Sequence, residues 1–128
     1  MIEEGKPLFV QIAEHIEDSI VDGSLAEDGQ APSTNELAAF YHVNPATAAK
    51  GINLLVDKKV LAKRRGIGMF VTRGARQQLR EERRAAFIAR FIDPLLTEAT
   101  RLQLSSDDVV TALRDRIRDT TDPERNVR

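Results

Sequence analysis

The chain has no cysteine, so neither a disulfide framework nor a thiolate metal site is open to it. Its two histidines, His15 and His42, lie too far apart to suggest zinc, and they read as ordinary helix-surface and turn residues. No metal and no cofactor are expected. No apolar run approaches the roughly 18 residues of a membrane span, and the start MIEEGKPLF lacks the basic and apolar stretches of a signal peptide. The expectation is a cytoplasmic protein with no membrane partner. An excess of one charge is also missing, the formal net charge being -1. Any binding of nucleic acid must therefore rest on a local concentration of cations.

That concentration exists: Lys58, Lys59, Lys63, Arg64 and Arg65 fall within eight residues, while residues 14 to 28 carry Glu14, Glu17, Asp18, Asp22, Glu27 and Asp28. Along the chain the charges are segregated. The 128 residues suffice for one ordinary domain or a small domain with an appendage, and two full domains are not expected.

Hydrophobic periodicity supplies the elements. After Pro7, Leu8, Ile12, Ile16 and Ile20 recur with the period of an amphipathic helix, with Gly23 as its stop. In PSTNE, Ser33 caps a second helix from Thr34, and Glu36 reaches back to complete a capping box. The start signal repeats at Asn44-Pro45. The third helix turns Ala48, Ile52, Leu55 and Val56 inward and Ala46, Lys50, Asn53 and Asp57 outward. Two helices joined by so short a turn form a helix-turn-helix. VLAKR and MFVT, separated by RGIG, then predict a β-hairpin. A helix, a helix-turn-helix and a hairpin, in that order, make a winged helix.

From about Ala75 a long helix with a wide apolar face follows, and Pro94 is expected to kink it. A last helix is capped at Ser105 or Ser106, with Val109, Val110, Leu113 and Ile117 as its stripe. The domain plan is residues 1–74 for the winged helix, 75–118 for a helical appendage and 119–128 for a disordered tail. The fold class is mainly α with a small β-hairpin. Phe87, Ile88, Phe91, Ile92, Leu95 and Leu96 occupy more than one face, so a second copy of the chain is expected to cover one of them.

The stretch from PLFVQIAEHIEDSIVDGSL through APSTNELAAFYHVNPATAAKGINLLVDKKVLAKRRGIGMFV resembles the DNA-binding domain of the GntR family of bacterial transcription regulators. The resemblance rests on the Pro-Ser pair before the second helix, the Val before the recognition helix and the Gly-x-Gly-x-Phe-Val of the wing. The VNP start and the short C-terminal part resemble the YtrA-like subgroup, which implies that the last helices serve dimerisation. Two departures stand out. Asn35 occupies a position usually held by Arg, and Ile67 and Met69 stand where the subgroup often has Lys and Thr.

The residues expected to meet DNA are Ser33, Thr34 and Asn35 at the second helix, Asn44, Pro45, Ala46, Thr47 and Lys50 at the third, and Arg64, Arg65 and Gly66 in the wing. Asn44 and Thr47 sit at a helix N-terminus, where free N–H groups and the dipole favour phosphate. Lys50 has the length to reach a guanine edge or a phosphate. Ala46 offers only a methyl to thymine. Gly66 lets the backbone approach the groove. For Ser33 a helix cap is as good a reading as a phosphate contact. Arg73, Arg76, Arg80, Arg83 and Arg84 either solvate the long helix or graze the DNA backbone.

The leading expectation is a homodimeric repressor that reads a double-stranded operator of twofold character and belongs to a transport operon, the last point being implied by the resemblance alone. The alternative is a winged-helix protein-interaction scaffold without specific DNA binding. An enzyme with RGIG as a phosphate loop is rejected, because no G-x-x-x-x-G-K is present and no helix pattern follows the glycines. No constellation of residues identifies a small-molecule effector.

Overall fold

A computed structural model of the chain describes residues 5–121, which form two compact units, one up to Arg83 and one from Arg84. In the first unit the elements are α1 (Leu8–Asp22), α2 (Thr34–Tyr41), α3 (Pro45–Asp57), β1 (Leu61–Arg64), β2 (Gly68–Val71) and the first turns of α4 (Ala75–Phe87). The strands pair antiparallel with Leu61 opposite Val71 and Arg64 opposite Gly68. A one-residue bridge from Gln30 to Phe70 lays the loop before α2 along the outer edge of β2. This is a winged helix, mostly helical with a two-stranded hairpin.

Its core is the apolar stripe that the sequence predicts. Ile12, Ile16 and Ile20 of α1, Leu37 of α2, Ala48, Ile52 and Leu55 of α3, and Val60, Leu61 and Val71 around the hairpin are all buried. α3 packs tightly on α1 at Gly51, where a Cβ would stand 2.9 Å from the Phe9 carbonyl oxygen and 3.3 Å from Ile12 Cγ2. Only a residue without a side chain lets the two helices meet there. Ala75 and Leu79 are buried in the same core, so the first unit runs past Gly74, where the sequence changes character, into α4.

The end signals appear where the local chemistry puts them. Gly23 closes α1 with φ 89°, and its N–H donates to the Ile20 carbonyl. The capping box at Ser33 and Glu36 is complete in both directions, at 3.0 and 2.8 Å.

In the second unit, α4 ends in one π-helical turn over Ile88–Ile92, followed by α5 (Asp93–Arg101) and α6 (Ser106–Thr121). Pro94 has no N–H and crowds the carbonyl four residues back. The helix answers by widening, so that the Asp93 N–H reaches the Ile88 carbonyl. Ser105 caps α6 in a reciprocal pair with Asp108, at 3.0 and 2.9 Å. Of the expected tail, residues 119–121 are helical and 122–128 lie outside the described residues.

Phe87, Ile88, Phe91 and Leu96 are exposed, while Ile92 and Leu95 are half-buried. An apolar cleft of about 300 Å³ opens between α5 and α6, lined by Leu95, Ala99, Leu102, Leu104, Val109 and Leu113 among others. Among the described residues no helix is long and apolar enough to cross a membrane.

Candidate nucleic-acid interface

The helix-turn-helix is built by two caps on either side of one tight turn. His42 ends α2 with φ 56°, a left-handed conformation, and donates its N–H to the Ala38 carbonyl. Val43 N–H reaches the same carbonyl at 3.0 Å. Asn44 then caps α3, its side-chain oxygen accepting from the Ala46 N–H at 2.8 Å. Pro45, with its fixed φ and no N–H to satisfy, occupies the first turn.

This geometry changes one expectation about the start of α3. Asn44 Oδ1 holds the Ala46 N–H, and the Asn44 carbonyl accepts from Thr47 N–H at 2.9 Å and Ala48 N–H at 3.3 Å. The backbone donors expected to be free for phosphate are in use. What this end offers a ligand is the helix dipole, the Asn44 amide and the Thr47 hydroxyl.

The outward face of α3 is as predicted, with Ala46, Lys50, Asn53 and Asp57 exposed and Thr47 half-buried. Lys50 Nζ lies 5.3 Å from the centre of the Phe9 ring, so the side chain is steered by a cation–π contact while its head stays in water. At α2, the Ser33 hydroxyl is taken by the cap, which favours the plain reading of that residue. The Ser33 N–H beside Glu36 holds that carboxyl below its ordinary range. Asn35 is exposed and Thr34 half-buried, with no hydrogen bond from either side chain among the described residues.

In the wing, the tip is the turn Arg64 to Ile67, closed by the Ile67 N–H to the Arg64 carbonyl at 3.0 Å. Gly66 takes φ 78° at its third position, which L side chains avoid, and nothing stands within 4 Å of the place a Cβ would fill. The glycines are followed by strand β2 and not by a helix, so RGIG is a hairpin turn rather than a phosphate loop. Ile67 is exposed at the tip, whereas Met69 packs against the core. Of the two wing positions that depart from the subgroup, only Ile67 is therefore exposed. Gln30 Nε2 donates to the Ile67 carbonyl at 2.8 Å and braces the tip from the side.

The five-cation run does not stay together. Lys58 turns inward, pairing with Glu17 at 2.5 Å and Glu82 at 2.9 Å. Burial opposes its charge, but the hydrogen bonds that it donates to these carboxylates outweigh it and raise its pKa. Arg64 lies over the Phe70 ring at 4.2 Å and pairs with Asp28 at 3.2 Å. Lys59, Lys63 and Arg65 are exposed and have no carboxylate partner among the described residues. The second basic segment is similarly divided: Arg73 pairs with Asp28, Arg83 with Asp18, and Arg76 donates to the Val21 carbonyl at 3.0 Å.

Sequence reasoning passed over Phe9, Asp28, Gln30 and Phe70. Asp28-Gly29 is a recognisable turn signal, but its pairing with residues far along the chain has no local trace.

The profile of the bacterial regulatory proteins of the gntR family matches residues 8–71, which spans α1 to the end of the wing. The chain belongs to the GntR family. A curated relative, an uncharacterised HTH-type transcriptional regulator of Bacillus subtilis, YurK, is 35% identical over 65 residues, covering 51% of this chain and 27% of the relative. The chain thus spans about a quarter of that protein's length. A putative GntR-family transcriptional regulator from Bacteroides thetaiotaomicron has the same fold over 89% of this chain and 99% of its own, with TM-score 0.74 and 26% identity. The DNA-binding domain of AraR, solved in complex with operator ORX1, is 32% identical, with TM-score 0.52 over 56% of this chain and 87% of that domain. The winged helix described above is thus the GntR-family helix-turn-helix domain.

Proposed function

We propose that this GntR-family chain is a homodimeric, sequence-specific DNA-binding transcription regulator, cytoplasmic, acting as a repressor on an operator of twofold character. Its α3 enters the major groove through Lys50, Thr47 and Ala46, and the wing meets the adjacent phosphates through Arg65 and Gly66, with Arg64, Asn44, Pro45 and the start of α2 (Ser33, Thr34, Asn35) alongside. The observation that carries this reading is the pairing of an uncovered α3 face with a glycine-tipped wing whose Lys63 and Arg65 have no carboxylate partner among the described residues. The AraR domain, related in sequence and bound to its operator, supports it.

The dimer is supported by apolar surface. Phe87 and Phe91 are each 53% exposed and Ile117 60%. Such side chains in an isolated helical unit call for a partner, and a second copy gives the twofold symmetry that operator readout uses. Assignment to the YtrA-like subgroup and to control of a transport operon follows from the motif resemblance alone.

Phosphate contacts by themselves give roughly 10⁻⁴ to 10⁻⁶ M binding, and base readout by two half-sites supplies about 4 to 10 kcal/mol more. The test is selection of genomic fragments by the purified protein, followed by a gel shift of the recovered site with Lys50→Ala/Arg65→Ala. Loss of the shift with the dimer intact is expected. Undiminished binding by the double variant refutes the assignment.

A further inference from the structure

Asp28 is a carboxylate inserted among the cations of the wing. Its Oδ1 accepts from Arg64 Nη2 at 3.2 Å and its Oδ2 from Arg73 Nε at 2.9 Å. One carboxylate thus bridges two guanidinium groups that lie 36 and 45 residues further along the chain. Arg64 also lies over the Phe70 ring, its guanidinium carbon 4.2 Å from the ring centre. This is the arrangement in which a phosphate would bind, with two arginines converging on an anion.

The backbone does not need the carboxylate. The Asp28 N–H already donates to the Val71 carbonyl at 2.8 Å, and the Gly29 carbonyl accepts from Val71 N–H at 2.9 Å, so the loop is tied to β2 through main chain alone. Moreover, Asp28 sits at φ 65°, a left-handed conformation that glycine adopts without strain. An acidic side chain stands where glycine would serve the backbone. What the side chain touches is the pair of arginines.

We propose that Asp28 is a built-in phosphate mimic, holding Arg64 and Arg73 in place of DNA phosphate oxygens and so limiting the sequence-independent part of DNA binding. This rests on the DNA-binding reading above and adds its regulation by an internal competitor. In the free protein Lys63 and Arg65 are available to the backbone, and Arg64 and Arg73 become so only when a phosphate displaces the carboxylate. Two otherwise available cations are thereby reserved for a DNA whose groove geometry brings a phosphate to that spot. A net charge of -1 with a guarded wing suits a protein that must leave arbitrary DNA quickly.

The test compares wild type, Asp28→Asn and Asp28→Gly on a labelled duplex of arbitrary sequence, by fluorescence anisotropy between about 50 and 200 mM salt. Asp28→Gly relieves the backbone while removing the charge, and Asp28→Asn keeps the shape, so a folding defect in one does not carry over to the other. Removing one unit charge a few ångströms from two or three phosphates tightens binding about fivefold to tenfold at the low-salt end. The slope of log affinity against log salt steepens by about 0.9 for each additional phosphate that the freed arginines neutralise. Adding Arg64→Ala and Arg73→Ala to Asp28→Asn abolishes the tighter binding. If wild type binds and both folded variants bind equally or more weakly, the mimic is refuted while the DNA reading stands. If wild type itself fails to bind any duplex at the lowest salt, both fall.

Discussion

Replacing Lys58 with Met separates the two uses of the wing-proximal cations. Lys58 is the shared partner of Glu17, at 2.5 Å, and Glu82, at 2.9 Å, and Glu17 is only 8% exposed. Removing the ammonium leaves a buried carboxylate without its counter-charge. Breaking a fully buried pair costs about 3–5 kcal/mol. Here the Lys58 and Glu82 side chains are 37% and 47% exposed, and solvent screening reduces the expected loss to about 2 kcal/mol. For a domain of this size that lowers the midpoint by about 8–16 °C. The assay is a thermal melt followed by circular dichroism at fixed protomer concentration, since association shifts the midpoint. Because the folded ammonium titrates above the ordinary lysine value, the difference from wild type is full below about pH 10.4 and shrinks as pH rises through the folded value. The salt slope of DNA binding should stay as in wild type, because Lys58 faces Glu17 and Glu82 and not the exposed face. Arg65→Ala should do the reverse, keeping the melt and reducing the slope by about 0.9 per protomer. A Lys58→Met protein that melts like wild type but loses salt slope would show that the lysine works at the DNA and that the reasoning is wrong.

Three further outcomes are expected. Gly51→Ala should destabilise by about 1–3 kcal/mol despite the better helix propensity of alanine, because the new Cβ meets the Phe9 carbonyl at 2.9 Å; a raised midpoint in a denaturant titration would contradict the packing of α1 on α3. Phe91→Glu, which places a charge on an exposed ring of the helical unit, should convert a dimer to a monomer in analytical ultracentrifugation without loss of helical signal, and an unchanged sedimentation coefficient would remove this face from the dimer interface. The capping carboxylates Glu36 and Asp108 titrate below their ordinary range because of the N–H groups of Ser33 and Ser105. Their contribution is therefore present above about pH 4.5 and lost as pH falls through the folded values, so helical signal should be flat near neutrality and decline in acid, and less steeply in Glu36→Gln.

Much of the fold was legible because its punctuation is local. A Ser three residues before a Glu, an Asn before a Pro and a Gly after an apolar stripe each determine a helix end through bonds between near neighbours. The inward stripe of α3 and its exposed Lys50 follow from the same periodicity. The hairpin was legible from its glycines, although the bridge from Gln30 that completes its edge was not, since a single bridged residue leaves no periodic pattern. The π-helical turn before Pro94 was half legible: proline announces that the helix must change, but not how.

By itself the sequence determined the ends of the capped helices, which faces are apolar, and that the chain is a winged helix of the GntR type. These depend on residues within a turn or two of one another. Only the tertiary structure decided which charges are available. The acidic stretch and the basic run look segregated along the chain, yet folding brings Glu17 to Lys58, Asp18 to Arg83 and Asp28 to Arg64 and Arg73. Opposite charges that are far apart in sequence attract once the core has packed their elements together, and no local rule records which of them will meet. In KRRGIGMFV the cations left without a carboxylate among the described residues are Lys63 and Arg65, whereas the loop carrying Asp28 is pinned beside β2 and places that carboxylate at Arg64.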